Sequence, residues 1–95
     1  MDLNRAIRLA VNTGQTVSGI KESRSAAEKK KAKLIITAIN CPDLELKRKK
    51  FRGVQIYPFK GNNHELGSAA GKPFAISALT VIEPGESNIL SVRED

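Results

Sequence analysis

The first apolar pattern along the chain is helical. Near the N-terminus, apolar residues recur at intervals of three and four, which is the spacing of one face of an α-helix. This predicts a helix over residues 2–13, with Asp2 at its positive end and Thr13-Gly14 at its stop. The apolar face of that helix consists of Leu3, Ala6, Ile7, Ala10 and Val11.

Four short segments are typical of strands. Residues 34–39 are uncharged and rich in β-branched side chains, which predicts a strand buried on both faces. Pro58 cannot extend a ladder of hydrogen bonds, so its strand is expected at or near a sheet edge. The predicted strands are residues 15–18, 34–39, 54–59 and 76–82.

Three further helices are predicted between these strands, over residues 20–31, 44–52 and 65–71. The first has a thin apolar face, the second is short and very basic, and Asn62 has capping-box spacing to Glu65 before the third. Pro84-Gly85 predicts a turn, and residues 89–92 a short extended end. The alternation predicts a single α/β domain over residues 1–95, with helices on both faces of a mixed sheet of about four strands.

Length and composition narrow the class of protein. The chain has 95 residues, 40% of them hydrophobic, and a mean hydropathy of −0.30, which suits one small globular domain and not a charged disordered tail. The apolar runs are too short for a membrane span, and the polar N-terminus lacks the apolar region of a secretory signal. A single cysteine allows neither an internal disulfide nor a zinc site. We therefore expect a cytoplasmic protein without metal or cofactor.

The net charge of +6 is unevenly distributed. Residues 21–33 hold six basic and two acidic side chains, and residues 45–52 hold five and one. Residues 83–95 hold four acidic and one basic. Such an imbalance favours a polyanionic partner, although an ordinary solvated lysine-rich surface explains each run taken singly.

The sequence contains no set of residues with the types and spacing that a catalytic site needs. His64 and Cys41 are the single histidine and cysteine, and nothing in the pattern requires them to form a dyad. Residues 66–73 resemble a phosphate-binding loop, but Leu66 and Pro73 stand where that motif needs Gly and Ser or Thr. We therefore predict a protein that is not an enzyme and takes no small-molecule substrate.

Two segments favour binding. Gly19 leads directly into a helix that carries Lys21 and Arg24, and the N-terminus of a helix offers free N–H groups to phosphate. Phe74 lies in a loop behind Lys72 and Pro73. It either enters the core or stays exposed as a platform on which an unstacked base can lie, and the sequence leaves both open.

Five stretches, spread in order over nearly the whole chain, resemble the L7Ae/L30e family of kink-turn RNA-binding ribosomal proteins. They are residues 13–21, 32–36, 40–42, 61–67 and 84–90. The most specific are Gly61-Asn62-Asn63-His64-Glu65-Leu66-Gly67 and Pro84-Gly85-Glu86-Ser87-Asn88-Ile89-Leu90.

The resemblance implies a three-layer α/β/α sandwich that binds a kink-turn in large-subunit ribosomal RNA. A kink-turn is a sharply bent RNA helix whose internal loop contains tandem G·A pairs. It also implies a place in the cytoplasmic ribosome beside other ribosomal proteins, and we expect a monomer away from it. The chain begins directly at its first helix, without the basic extension of eukaryotic members, so an archaeal source is expected.

The resemblance also implies three neighbouring RNA-binding loops. The first is the start of the second helix at residues 19–23, the second follows the second strand at Asn40, and the third enters the last long strand at residues 72–76. Lys21 is expected to make a charge-assisted contact, Glu22 to accept from guanine N–H groups, and Asn40 to contact a base edge. Phe74 and Ile76 are expected to pack on an extruded nucleotide and its sugar, while the lysine runs attract phosphates at longer range. The expected binding residues are Gly19, Ile20, Lys21, Glu22, Ser23, Asn40, Lys72, Pro73, Phe74, Ala75 and Ile76.

Two departures from the family pattern matter. The predicted basic helix over residues 44–52 is about one turn shorter than is usual there. Lys21 stands where the L7Ae branch has Asn, which favours the L30e branch. The alternative is a general kink-turn-binding protein of small guide-RNA particles, which predicts comparable affinity for any kink-turn.

Overall fold

A mixed β-sheet is the middle layer of the protein in a computed structural model, which describes residues 3–91. Within these residues the sheet has five strands in the order β1-β5-β2-β4-β3. The strands are β1 (Gln15–Ser18), β2 (Leu34–Thr37), β3 (Lys50–Phe51), β4 (Val54–Pro58) and β5 (Ala78–Glu83). The helices are α1 (Leu3–Thr13), α2 (Ile20–Glu28) and α3 (Asn63–Ala69), with single 3₁₀ turns at Glu45–Lys47 and Ile89–Ser91.

The sheet is mixed because β2 and β4 are parallel, whereas β1–β5, β5–β2 and β3–β4 are antiparallel. These directions determine where a binding surface can form. The last residues of β1, β2 and β4 lie at one end of the sheet, and β5 begins at that same end. We call this the loop end, and α2 also starts there.

Both faces of the sheet are covered, which confirms the predicted α/β class. Along β2, Leu34 and Ile36 face α1 and α3, whereas Ile35 faces α2 and the first 3₁₀ turn. All four residues of β2 are buried, as expected for a strand in the middle of three layers. Burial of both faces is the largest favourable contribution to folding here.

Helix α1 matches the prediction over its described length. Ala6, Ile7 and Ala10 are buried on the sheet, and Leu3 and Val11 pack against the same cluster. Asp2 and Val92, which the predicted elements include, lie outside the described residues. No helix among residues 3–91 reaches the length and apolar content needed to cross a bilayer.

Helix α2 is shorter than the predicted 20–31. It ends at Glu28, and Lys30 adopts a left-handed backbone with φ 59°. The N–H groups of Lys30 and Lys31 turn back to the carbonyls of Ala27 and Ala26, at 3.1 and 2.9 Å. These bonds satisfy the last carbonyls of the helix and close it.

The predicted helix over residues 44–52 is wrong. The segment forms one 3₁₀ turn and then β3, which pairs with β4 through Phe51 opposite Val54. Its two buried side chains, Leu46 and Phe51, are five residues apart, so one helical face cannot bury both. Arg52 and Gly53 form a two-residue turn with φ of 52° and 81°, the turn geometry that suits the twist of a hairpin.

Other differences are smaller. Helix α3 begins two residues earlier than predicted, at Asn63, and the expected capping box between Asn62 and Glu65 is present. The strand predicted over residues 34–39 ends at Thr37, and that over 76–82 begins at Ala78. The expected extended end at residues 89–92 is a 3₁₀ turn over Ile89–Ser91. As predicted, β4 is next to an edge, because only the two-residue β3 lies beyond it.

Candidate nucleic-acid interface

Backbone hydrogen bonds bring the predicted segments together at the loop end. The N–H of Gly19 donates to the carbonyl of Ala78 at 2.8 Å, and the N–H of Ala38 donates to the carbonyl of Ser77 at 2.9 Å. The first bond joins the start of α2 to the start of β5, and the second joins the end of β2 to the same point. The predicted first and third loops are therefore direct neighbours.

Gly19 sets the direction in which α2 leaves the sheet. Its φ of 107° and ψ of 154° belong to a region that side-chain-bearing residues rarely adopt. A Cβ atom here would meet no atom of residues 3–91 within 4 Å, so the backbone conformation, and not crowding, requires glycine. The N–H groups in the first turn of α2 have no acceptor within the helix, as at any helix start, and so can donate to a ligand.

The next residues divide between the surface and the interior. Lys21 and Glu22 are exposed, Ile20 is partly buried against the cluster under α2, and Ser23 is fully buried. Within residues 3–91, neither Lys21 nor Glu22 takes part in an ion pair. One cation and one anion therefore project beside each other from the first turn of α2.

Phe74 is exposed, which decides between the two alternatives for it. Its side chain is 53% exposed, although Phe is among the residues most often buried. Residues 74–77 and residues 18–20 together line a shallow pocket of about 220 Å³. The ring thus forms one wall of a concave surface whose other wall is the start of α2.

The rest of the third loop frames this pocket. Lys72, Pro73 and Ala75 are exposed, and Ile76 is buried. The loop is held from below by α3, because a Cβ atom on Gly67 would overlap the carbonyl oxygen of Phe74. A glycine inside a helix usually costs stability, and here it allows close approach of the two backbones.

Asn40 belongs to the same surface through Asn63. The Asn40 amide donates from Nδ2 to Asn63 Oδ1 at 3.0 Å and accepts from the Asn63 N–H at 2.9 Å. The carbonyl of Asn63 accepts in turn from the N–H of Ile76 at 2.9 Å. Asn63 therefore connects the second and third loops, and all three predicted loops form one continuous surface.

Three residues of this surface are not among the predicted binding residues. Asn63 and Gly67 belong to a stretch that carries the family resemblance, but the sequence predicts no binding role for either. Ile39 is placed in a buried strand by the pattern, but the structure exposes 60% of it beside Asn40. The Gly inside an otherwise helical pattern is the signal that could have found the close contact at Gly67.

Arg24 does not join the cations of the surface. Its guanidinium pairs with Asp43 at 2.9 Å and with Glu45 at 3.2 Å, and it lies over the ring of Phe51 at 5.0 Å. The hydrogen bonds to Asp43 and Glu45 raise the pKa of Arg24. Burial would raise the pKa of Asp43, but the hydrogen bonds from Arg24 and from the backbone hold it below its usual range.

The two side chains considered for a catalytic dyad lie on opposite sides of the sheet. Cys41 is buried in the cluster under α2, whereas His64 is exposed on α3, on the other side of the sheet. Within residues 3–91, no group of three His, Cys, Asp or Glu side chains is placed to hold a metal ion. A wider groove of about 630 Å³ between α1 and α3 includes Arg8 and Ser68 but no predicted site residue.

Comparison with known proteins identifies a matching family model and several related proteins. A model of the ribosomal protein L7Ae/L30e/S12e/Gadd45 family matches residues 1–91. A large ribosomal subunit protein eL30 from Methanospirillum hungatei is 40% identical over 93 residues, 97% of this chain and 98% of that protein. The protein with the same name from Methanosphaera stadtmanae is 40% identical over 99 residues, 99% of this chain and 100% of that protein. The one from Pyrobaculum calidifontis is 38% identical over 99 residues, 99% of this chain and 97% of that protein.

Proposed function

Because the chain belongs to the ribosomal protein L7Ae/L30e/S12e/Gadd45 family, we propose that it is a structural, non-catalytic component of the large ribosomal subunit. We propose further that it holds a kink-turn of large-subunit ribosomal RNA at the loop end of the sheet. The observation that carries this proposal is the exposed Phe74 beside the open start of α2. A half-exposed aromatic ring next to free helical N–H groups suits an unstacked base followed by a phosphate.

The exposed polar side chains give the surface its selectivity. Lys21 and Lys72 neutralise phosphates that the bend brings close together. Glu22 accepts from guanine N–H groups, which are donors that an unpaired carboxylate recognises. Asn40 is already oriented by Asn63, so its amide meets a base edge without losing rotamer freedom at the moment of binding.

The remaining predicted residues support this contact. Gly19 and Ile20 give the RNA backbone room at the pocket wall, and Pro73 and Ala75 fix the loop on either side of Phe74. Ile76 and Ser23 are buried, so they hold the two loops in place from within instead of offering a side chain to RNA. In this proposal the protein is a monomer away from the cytoplasmic ribosome and contacts neighbouring ribosomal proteins within it.

The test is a gel-shift titration with two RNAs at near-physiological salt. One RNA contains a kink-turn, and the other has Watson–Crick pairs in place of its tandem G·A pairs. We expect tight binding to the first and at least about tenfold weaker binding to the second, since only the first adopts the bend. Equal affinities would refute recognition of a kink-turn. Equal affinities among several natural kink-turns would favour the role in small guide-RNA particles.

A matched pair of variants locates the contact. Lys21→Gln should weaken binding by about 1–3 kcal/mol, as loss of a specific charge-assisted contact does. Lys33→Gln removes the same charge at the other end of the sheet, where Lys33 pairs with the exposed Glu83 at 3.2 Å. An equal effect of the two substitutions would show that only net charge matters.

A further inference from the structure

A second basic surface lies at the end of the sheet opposite the loop end. Helix α2 starts at the loop end and ends at the opposite end of the sheet, beside the turn between β3 and β4. Arg52 in that turn reaches Glu28 at the end of α2, with a separation of 3.7 Å. We call this surface the basic patch, and its exposed cations are Lys29, Lys30, Lys31, Lys49, Lys50 and Arg52.

The charge of the basic patch is largely uncompensated. In the part of the chain that the structure describes, its five lysines form no ion pair, and the ion pair of Arg52 is the long contact to Glu28. The guanidinium of Arg52 also lies 5.7 Å from the centre of the Phe51 ring. The nearby carboxylates Asp43 and Glu45 are already paired with Arg24. The patch therefore presents a cluster of free cations and no neutralising acid of its own apart from Glu28.

Two of these cations occupy positions that disfavour them. Lys30 and Arg52 have φ of 59° and 52°, and they are the residues other than glycine with positive φ within residues 3–91. Gly or Asn adopts this conformation at lower cost. In particular, an Asn before Gly53 would give the most favourable sequence for the two-residue turn. At Arg52 the contacts with Glu28 and with the Phe51 ring offset part of this cost. Lys30 has no ion pair within residues 3–91, so stability does not account for its positive charge.

We propose that the basic patch binds the phosphate backbone of a second RNA duplex segment, separate from the RNA held at the loop end. Phe51, the aromatic residue beside the β3–β4 turn, is buried, so the patch offers cations without a surface on which a base can stack. Cations without an exposed ring contact the phosphates of a nucleic acid and not its bases. Double-stranded RNA is recognised mostly through such contacts, which depend on the shape of its backbone. A lysine-rich edge strand also discourages sheet pairing, but that does not explain the lysines that follow α2.

Distance makes the two surfaces independent. Helix α2 has nine residues, and a helix of that length spans about 13 Å. Screening reduces charge interactions beyond about 8 Å at physiological salt. The basic patch therefore adds little to attraction at the loop end and acts on RNA that touches it directly. Two RNA segments bound at opposite ends would be tied together by this one small domain.

The test uses a short blunt RNA duplex without an internal loop, and two variants with equal charge. The patch variant is Lys30→Asn/Arg52→Asn, in which Asn suits the positive φ. The control variant is Arg5→Gln/Arg8→Gln, which removes two exposed cations of α1, outside the basic patch and outside the three loops. Binding is measured by fluorescence anisotropy at 50 and 200 mM KCl, and folding by thermal unfolding.

The salt dependence sets the expected size. Each lost phosphate contact on a duplex removes about 0.9 from the logarithmic salt slope, which is roughly a 3.5-fold factor between 50 and 200 mM. Two lost contacts therefore correspond to a factor of about 12. We expect the fall in affinity between 50 and 200 mM KCl to be about 12-fold smaller in the patch variant than in the wild-type protein, with an unchanged or higher Tm. In the control variant this salt dependence should be nearly that of the wild-type protein. Equal changes of salt dependence in the two variants would overturn the proposal.

Simultaneous binding is tested by capture. Wild-type protein bound to immobilised kink-turn RNA should retain a labelled duplex, whereas the patch variant should bind the kink-turn RNA but retain no duplex. Loss of both activities in the patch variant would overturn the separation of the two surfaces. Failure of wild-type protein to bind the kink-turn RNA would refute the proposed function instead, and the duplex titration would still test the basic patch. Patch-dependent binding to anionic lipid vesicles without duplex binding would also overturn the proposal.

Discussion

Removing the ring of Phe74 should weaken RNA binding far more than it weakens the fold. The side chain is 53% exposed at the pocket beside the start of α2. A Phe side chain contributes roughly 200 Å² of surface, so about 100 Å² is available to a base. At about 25 cal/mol per Å², covering that area is worth roughly 2.5 kcal/mol. Phe74→Ala should therefore raise the Kd for kink-turn RNA by roughly 70-fold.

The structure also limits the effect on stability. The part of the ring that is already covered corresponds to less than about 2.5 kcal/mol, and a domain has about 5–15 kcal/mol of stability to lose. Phe74→Ala should therefore stay folded at 25 °C. Isothermal titration with kink-turn RNA gives the Kd, and urea unfolding followed by circular dichroism gives the free energy of unfolding.

Leu44→Ala is the matched control. Leu44 is another large apolar side chain at the surface, 77% exposed, but it directly precedes the first 3₁₀ turn and is not among the predicted binding residues. Its truncation should leave the Kd unchanged. The reasoning is refuted if Phe74→Ala keeps wild-type affinity while folded, or if Leu44→Ala weakens binding equally.

Three further predictions concern the fold that supports the site. Gly67→Ala should lower the free energy of unfolding by about 1–3 kcal/mol and weaken RNA binding, because the new methyl group displaces the carbonyl of Phe74; an unchanged urea midpoint would contradict this. Thr80→Val should leave that free energy unchanged or raise it by up to about 1 kcal/mol, since the buried hydroxyl has no hydrogen-bond partner among residues 3–91. A clear loss in thermal unfolding would contradict this. Asp43→Asn should cost about 0.5–1 kcal/mol at pH 7, because the pair with Arg24 is partly exposed. The folded-state pKa of Asp43 is lowered, so this difference should be fully present above the ordinary pKa near 3.9. It should be lost as the pH falls through the lower folded-state pKa in acid unfolding experiments.

Much of the fold follows from local patterns. The three-and-four spacing of α1, the uncharged run of β2 and the pairing of Asn62 with Glu65 each determine structure through nearby residues, and each matches the structure. The hairpin after Glu45–Lys47 does not follow in this way. Its turn uses Arg52 with positive φ, whereas the usual signal is Asn or Asp before Gly. The run of charged residues in this segment is also typical of an exposed helix, so the sequence pattern predicts the wrong element.

The site was predictable only in part for a similar reason. The start of α2 is marked by Gly19, and Phe74 stands out as a large apolar residue in a loop. The bond between Asn40 and Asn63 joins residues 23 positions apart, so no local pattern reports it. Whether Phe74 is exposed also depends on the approach of α3 at Gly67, which is a property of the folded chain.

The central claim is that the loop end holds a kinked RNA, and an NMR titration tests it most directly. Labelled protein would be combined with one equivalent of a minimal kink-turn RNA at about 150 mM salt, where screening suppresses distant charge effects. The account predicts that amide shifts concentrate in residues 19–22, at Asn40 and in residues 72–76, with little change in α1. Shifts confined to residues 29–31 and 49–53 would contradict it, because they would show that RNA is held by the basic patch alone.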